Sequence, residues 1–287
     1  MTSLIQNIHY KETSANNNAD HVLYSDQDND MWCKLYNKQK QNLIDLAYQN
    51  IIESIEQLDL PHNYVPQLSE VSKKLYQKTG WKVEKVEELI DSTPFFERLA
   101  NRIFPSTITI RKEKELGLSR DPDIFHELFG HCPILLNEQY AIIFEKFGKI
   151  GLKFDSTQRA FLARLFWFTF EVGLIQTTQG LKIYGGSLLS SMRESRYAIK
   201  SLIPARKKFD MIDIFRTPYR ADLMQPIYYI THDIRQILSV FDNVELIKSN
   251  IEIAYNLVEF TPLFPVENKY KKYMSYDICK TINLVKP

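Results

Sequence analysis

Residues 121–136 read DPDIFHELFGHCPILL. The chain has six histidines, and two of them, His126 and His131, stand five apart in this stretch. On a straight α-helix five residues turn through about 500°, which leaves the two imidazoles about 140° off a common face. Asp121-Pro122 is expected to start a helix and Gly130 to end it, because glycine is the usual residue just past a helix terminus. His131 is then turned back toward His126, and both rings can meet at one point. Taken alone, the pair is as compatible with two unrelated histidines as with a metal site. It lacks the i, i+4 spacing of the zinc-protease motif.

Two histidines and one carboxylate on one face of a metal, with positions left open, form the donor set of non-haem Fe(II) oxygenases. The carboxylate candidate is Glu171, in the apolar helical run RLFWFTFEVGLI that Ser156 can cap. An ionised Glu is costly to bury alone. It is paired with an Arg, kept neutral, or bound to a metal. Ala163, Trp167 and Glu171 are four apart and are expected to share a helix face. Arg111 ends STITIR, a stretch of alternating β-branched residues expected to be a short strand. It is either a surface charge or a fork suited to a carboxylate. Ser190-Ser191 can cap a helix, or one of them can bond the outer nitrogen of a ligand histidine.

Outward from these motifs the pattern is mainly helical. Trp32, Leu35, Tyr36, Leu43, Ala47, Ile51 and Ile55 predict one long amphipathic helix. Leu68, Val71 and Leu75 predict a shorter one ending at Gly80, and Thr93-Pro94 an N-cap and first-turn proline for FFERLANRIF. A hairpin or tight turn is expected around Gly180, a return to helix in SLLSSMRESRYAI, and a mix of loop and helix over 217–235. Residues 11–30, rich in Asn and Asp, extend a polar N-terminal arm over 1–30, and 31–287 reads as one domain. The expected fold class is mainly α, packed helices with a few short β-strands.

Composition narrows the function. A net charge of +1, from 36 Lys+Arg and 35 Asp+Glu, lacks the basic surplus of a nucleic-acid binder. Three scattered cysteines, Cys33, Cys132 and Cys279, offer neither a disulfide framework nor a thiolate zinc site, which fits a reducing cytoplasm. The start MTSLIQNIHYKE has no signal-peptide pattern, and Phe161–Ile175 is too short and too charged to span a bilayer.

DPDIFHELFGHCPILL, then WFTFEVGL, then YGGSLLSS resembles the tetrahydropterin-dependent aromatic amino acid hydroxylases in order and spacing. The resemblance begins near Trp32-Cys33-Lys34-Leu35-Tyr36 and continues through EVSKKLYQKTGW, FFERLANRIFPSTITIR and TPYRADLMQPIYY. It implies one Fe(II) held by His126, His131 and Glu171, and a tetrahydropterin such as tetrahydrobiopterin near Ser92, Phe95, Glu127 and Ala163. It implies that Arg111 takes the substrate carboxylate, that Trp167 packs on its ring, and that Ser190 supports His126 and shapes the substrate site. Glu127 and Ser190 are the two positions it casts in a catalytic part. Iron and pterin together would use O2 to hydroxylate an aromatic amino acid, and the protein would orient them. The chain departs from the family at Asp121, usually Glu, at Phe166, commonly Tyr, at Val172, often Phe, and at Ser119, Thr in animal members. Trp167 favours Phe or Tyr as substrate; Phe is the expected one, with Tyr or Trp the alternatives. With neither an N-terminal regulatory domain nor a C-terminal heptad run expected, the resemblance is to bacterial stand-alone Phe hydroxylases acting as monomers or weak dimers. From the residues alone, a His2Glu zinc hydrolase and a non-catalytic helical binding domain remain open.

Overall fold

A capping box starts the first helix: the Ser25 hydroxyl accepts the Asp28 N–H at 3.2 Å, and the Asp28 carboxylate accepts the Ser25 N–H at 3.0 Å. Helix α1 (Asp26–Leu43) therefore begins inside the polar stretch assigned to the arm. The computed structural model describes residues 21–86, 91–113, 122–261 and 263; residues 1–20, Ser119, Asp121, Cys279 and the C-terminal stretch read for heptads lie outside them.

The single long helix expected from Trp32 to Ile55 is two. After α1 the chain leaves the helix, and α2 spans Gln49–Leu58. Its periodicity survives the break because Leu43, Leu46, Ala47 and Ile51 all stay buried. The break itself is tertiary. The Tyr48 N–H donates to the Ile183 carbonyl and the Ile183 N–H to the Leu46 carbonyl, both at 2.9 Å. Helix α3 (Leu68–Thr79) stops at Gly80 as expected, with φ of 75°.

Strand β1 (Lys82–Lys85) pairs in parallel with β2 (Ile103–Ser106), on either side of helix α4 (Ser92–Ala100). Helix α4 starts ahead of the expected Thr93 cap, with Asp91 as N-cap, and ends at Ala100, short of the expected NRIF. STITIR contributes only Ser106 to a strand. Thr107–Ile110 forms no ladder among the described residues; the partner of β1 is the stretch before it. β-propensity was present in both stretches; the available partner decided which one paired.

Helices α5 (Cys132–Leu135), α6 (Glu138–Lys153) and α7 (Ser156–Phe166) follow. Asp155, not Ser156, caps α7, accepting the Gln158 N–H at 2.8 Å. Strands β3 (Leu174–Thr177) and β4 (Gly180–Ile183) form the hairpin expected at Gly180, whose φ is 102°. Helices α8 (Gly186–Ser190) and α9 (Met192–Lys200) are separated at Ser191, which caps α9. Strand β5 (Ala205–Lys208), helix α10 (Met211–Arg216), strand β6 (Ile227–Thr231) and helices α11 (Ile234–Asp242) and α12 (Val244–Asn256) complete the described chain. In 217–235 the IYYIT segment is thus a strand that the helical reading missed. It is central in a four-stranded sheet of order β4-β3-β6-β5, parallel to both β3 and β5. Small sheets and many helices share one core of aliphatic and aromatic side chains, so the mainly α expectation holds. No helix among the described residues is long and apolar enough to cross a membrane.

Candidate metal centre

Gly130 does not end a helix. Residues His126–His131 form a π-turn that runs into α5, with the Cys132 N–H bonded to the Glu127 carbonyl five residues back. An i→i+5 turn returns the fifth residue to nearly the same face, so the spacing that misfits an α-helix fits here. Glycine at 130 serves close approach: a Cβ there would lie 2.5 Å from the Gly186 carbonyl oxygen of α8. A Cβ on Gly186 would in turn lie 2.4 Å from the His131 ring. Two facing glycines let α8 press directly against the histidine turn.

Glu171 lies in a second π-turn, Trp167–Glu171, closed by the Val172 N–H to the Trp167 carbonyl at 2.9 Å. The α-helical face expected for Ala163, Trp167 and Glu171 therefore holds only as far as Trp167. Beyond it the wider turn rotates Glu171 relative to an α-helical continuation. Glu171 Oε1 comes within 3.2 Å of His131 Nε2, and Oε2 within 3.7 Å of His126 Nε2. The two Nε2 atoms are 3.1 Å apart. One ligand atom from each residue lies within 4.8 Å of the others. Arg164, the nearest Arg in sequence, is engaged elsewhere, with the Phe215 carbonyl and the Glu259 carboxylate. Glu171's ion-pair partners among the described residues are the two imidazoles.

The surroundings favour a neutral His126 and an ionised Glu171. Burial lowers His126 to about 4 against the pull of Glu171. Burial pushes Glu171 up, but His131, His126 and Ser187 outweigh it and hold it at about 2. The His126 Nδ1 lies 2.9 Å from the Ser190 hydroxyl, which itself donates toward the Ser187 carbonyl at 3.3 Å. That chain assigns the Nδ1 proton to His126 and leaves its Nε2 lone pair facing Glu171 and His131. Two imidazole nitrogens and a carboxylate converging in a buried space form a donor set that a divalent cation satisfies.

Arg111 is buried, 6% exposed, and not a surface charge. Asp123 holds it: Oδ2 accepts the Arg111 backbone N–H and Nε at 2.8 Å each, and Oδ1 accepts Nη2 at 2.6 Å. Oδ1 also accepts the His126 N–H at 3.0 Å, tying the guanidinium to the histidine turn. Trp167 stacks on Tyr219 with ring centroids 4.6 Å apart and an 11° interplanar angle. Its indole Nε1 is buried and unbonded among the described residues.

Ser92 and Phe95 on α4 meet α7 through Arg159 Nη1 to Ser92 Oγ at 3.3 Å and through Phe95 to Phe166 at 6.0 Å between centroids. Ala163 lies between Arg159 and Phe166 on α7 and is buried. Phe166, where the family commonly has Tyr, packs against the rings of Phe95, Phe144, Phe147 and Phe170. Val172, the residue after Glu171, is fully buried. Glu127 is buried, and burial followed by the Glu171 charge raises its carboxyl well above the ordinary range. Sequence reasoning missed Asp123 as the partner of Arg111, Tyr219 as the partner of Trp167, and Ser187. All three stand inside motifs already quoted, but nothing local marks which neighbour they touch.

The family model of the biopterin-dependent aromatic amino acid hydroxylases matches residues 4–277. A phenylalanine-4-hydroxylase of Pseudomonas aeruginosa is 40% identical over 244 residues, 85% of this chain and 92% of that protein. The apo structure of the cold-active phenylalanine hydroxylase of Colwellia psychrerythraea superposes with a TM-score of 0.84 at 40% identity, covering 88% of this chain and 97% of that one. The Chromobacterium violaceum phenylalanine hydroxylase, solved with iron(III) and 7,8-dihydrobiopterin, gives a TM-score of 0.76 at 37% identity over 83% of this chain and 89% of that one.

Proposed function

Because the chain belongs to the biopterin-dependent aromatic amino acid hydroxylases, we propose that it is a phenylalanine 4-monooxygenase, converting L-phenylalanine to L-tyrosine with O2 and a tetrahydropterin. The observation that carries the reading is the convergence of His126, His131 and Glu171 at one buried point. These three would hold Fe(II). Bound there with the reduced pterin, iron supplies the redox chemistry with dioxygen that no side chain can.

The remaining roles belong to the chain. Ser190 holds His126 through Nδ1 and so keeps Nε2 turned inward. Arg111, fixed by Asp123 through Nε and Nη2, presents the rest of its guanidinium to the substrate carboxylate. Trp167, backed by Tyr219, offers a rigid apolar wall for the substrate ring. Ser92, Phe95, Glu127 and Ala163 are the residues that would hold the pterin, and Phe166, which packs against Phe95, supports that side. A captured carboxylate and a walled ring leave one ring edge free to face the metal, which is orientation rather than activation.

The test is direct. Metal-replete protein incubated with Fe(II), a tetrahydropterin, oxygen and L-Phe should release tyrosine, and omission of the pterin should abolish it. L-Tyr and L-Trp run in parallel decide the substrate. Failure with all three overturns the reading. Zinc alone after anaerobic purification, with no activity once Fe(II) is restored, would favour a hydrolase. We further propose a cytoplasmic role in phenylalanine catabolism as a monomer or weak dimer, with a catalytic unit from about residue 31; sedimentation tests the oligomeric state.

A further inference from the structure

Helix α8 touches all three proposed metal ligands. Gly186 abuts the His131 ring, since a Cβ there would lie 2.4 Å from it. Ser190 bonds His126 Nδ1 at 2.9 Å. Ser187 donates its hydroxyl to Glu171 Oε2 at 2.6 Å. Ser187 and Ser190 are three apart and so lie on one side of the helix. The helix is itself anchored: the fully buried Gln39 of α1 donates to the Leu189 carbonyl at 2.7 Å.

We propose that Ser187 is a positioning residue for the metal carboxylate, selecting which oxygen of Glu171 is free to bind the ion. The inference rests on the metal-ligand reading above. Its basis is that both oxygens of Glu171 lie near an imidazole while only one carries the serine hydroxyl. Oε1 is 3.2 Å from one imidazole nitrogen and Oε2 is 3.7 Å from the other, so either oxygen, or both together, could turn to a cation between them. The Ser187 hydroxyl distinguishes the two. It occupies a lone pair of Oε2, the oxygen 3.7 Å from His126 Nε2, and leaves Oε1, 3.2 Å from His131 Nε2, as the oxygen that carries no serine hydroxyl. One-oxygen ligation leaves a further coordination position open on the ion, where a two-oxygen grip would close it.

Cobalt(II) is the probe, because its visible bands report coordination number without turnover. Metal-free protein is titrated with Co(II) under argon, reading affinity and spectrum together. Ser187→Ala is expected to weaken Co(II) about ten-fold, as loss of a group that orients a ligand does, and to shift the bands. Ser187→Thr and Ser187→Val are near-isosteric and differ in the hydroxyl. Thr should restore both readouts and Val should resemble Ala, which separates the hydroxyl's effect from any general loosening of α8. Equal affinity and spectrum for Thr and Val overturn the proposal, as does Ala indistinguishable from the parent. A parent protein that takes up no cobalt overturns the metal reading and this inference with it; a parent that binds, with indifference to residue 187, overturns the inference alone.

Discussion

Asp123→Asn isolates the ion pair that ties Arg111 to the histidine turn. In the parent, the carboxylate accepts four N–H groups, two at each oxygen: Arg111 N and Nε at Oδ2, Arg111 Nη2 and His126 N at Oδ1. Asparagine keeps one acceptor oxygen, so two of the four bonds go and an NH2 group is set against two donors. Hydrogen bonds to charged groups are worth about 1.5–3 kcal/mol each, which gives a loss of about 3–6 kcal/mol. Breaking a buried ion pair by removing one charge costs about 3–5 kcal/mol, an independent route to the same range. Both side chains qualify as buried, at 3% and 5% exposure. Urea unfolding at pH 7 should therefore show Asp123→Asn less stable by about 3–5 kcal/mol. The difference depends on pH with a definite sign. Burial pushes the Asp123 carboxyl up, but the Arg111 guanidinium outweighs it and holds the folded value below the ordinary 3.8. The stabilisation is thus complete above that value and is lost as pH falls through the lower folded value. The gap between parent and variant should be constant from pH 7 to pH 5 and shrink in stronger acid. A loss under about 1 kcal/mol at pH 7, the scale of an exposed pair, would refute the reasoning.

Three further outcomes are expected. Gly130→Ala sets a Cβ 2.5 Å from the Gly186 carbonyl, backbone against backbone; urea melts should show a loss of about 1–3 kcal/mol, with weaker metal retention, and a neutral variant would remove the close-approach argument. Glu194 is buried, accepting from the Gln225 N–H at 2.9 Å and the Tyr228 hydroxyl at 2.8 Å, and burial outweighs those bonds to raise its carboxyl to about 7. Its unfolded form ionises first, so it destabilises the fold as pH rises from about 4.5 to about 7, by about 3 kcal/mol in all; Glu194→Gln should flatten that part of the stability profile, and an unchanged profile counts against it. Arg111→Lys keeps the charge but loses the fork, and steady-state kinetics should show the amino-acid KM raised about ten-fold or more, from about 1.5–3 kcal/mol of lost bonding, with an unaltered KM removing Arg111 from the substrate site.

The residues of the proposed centre were legible in the sequence by type and rarity. A histidine pair in a chain with few histidines, and a lone Glu in an apolar run, are anomalies that core packing does not explain. Helix α3 and the Gly180 hairpin were legible because their signals are local: a periodic stripe closed by a glycine, and a glycine between two short β-runs. The break between α1 and α2, and the choice of IFPS over TITI as the strand, were not, because each depends on a partner far along the chain. IYYIT gave no clear period, since a short apolar run reads equally as strand or helix until its neighbours in the sheet are known.

By itself, then, the sequence determined which side chains could do the chemistry and that a mainly helical fold would carry them. What only the tertiary structure decided is how His126, His131 and Glu171 come to face one another. Spacing argued for a helix end at Gly130, whereas the chain makes two π-turns, pressed from one side by α8 through a pair of glycines. A wide turn is a poor local choice, and no propensity favours it. It persists because Ser190, Ser187 and Gly186, more than fifty positions past His126, fix the imidazoles and the carboxylate from outside.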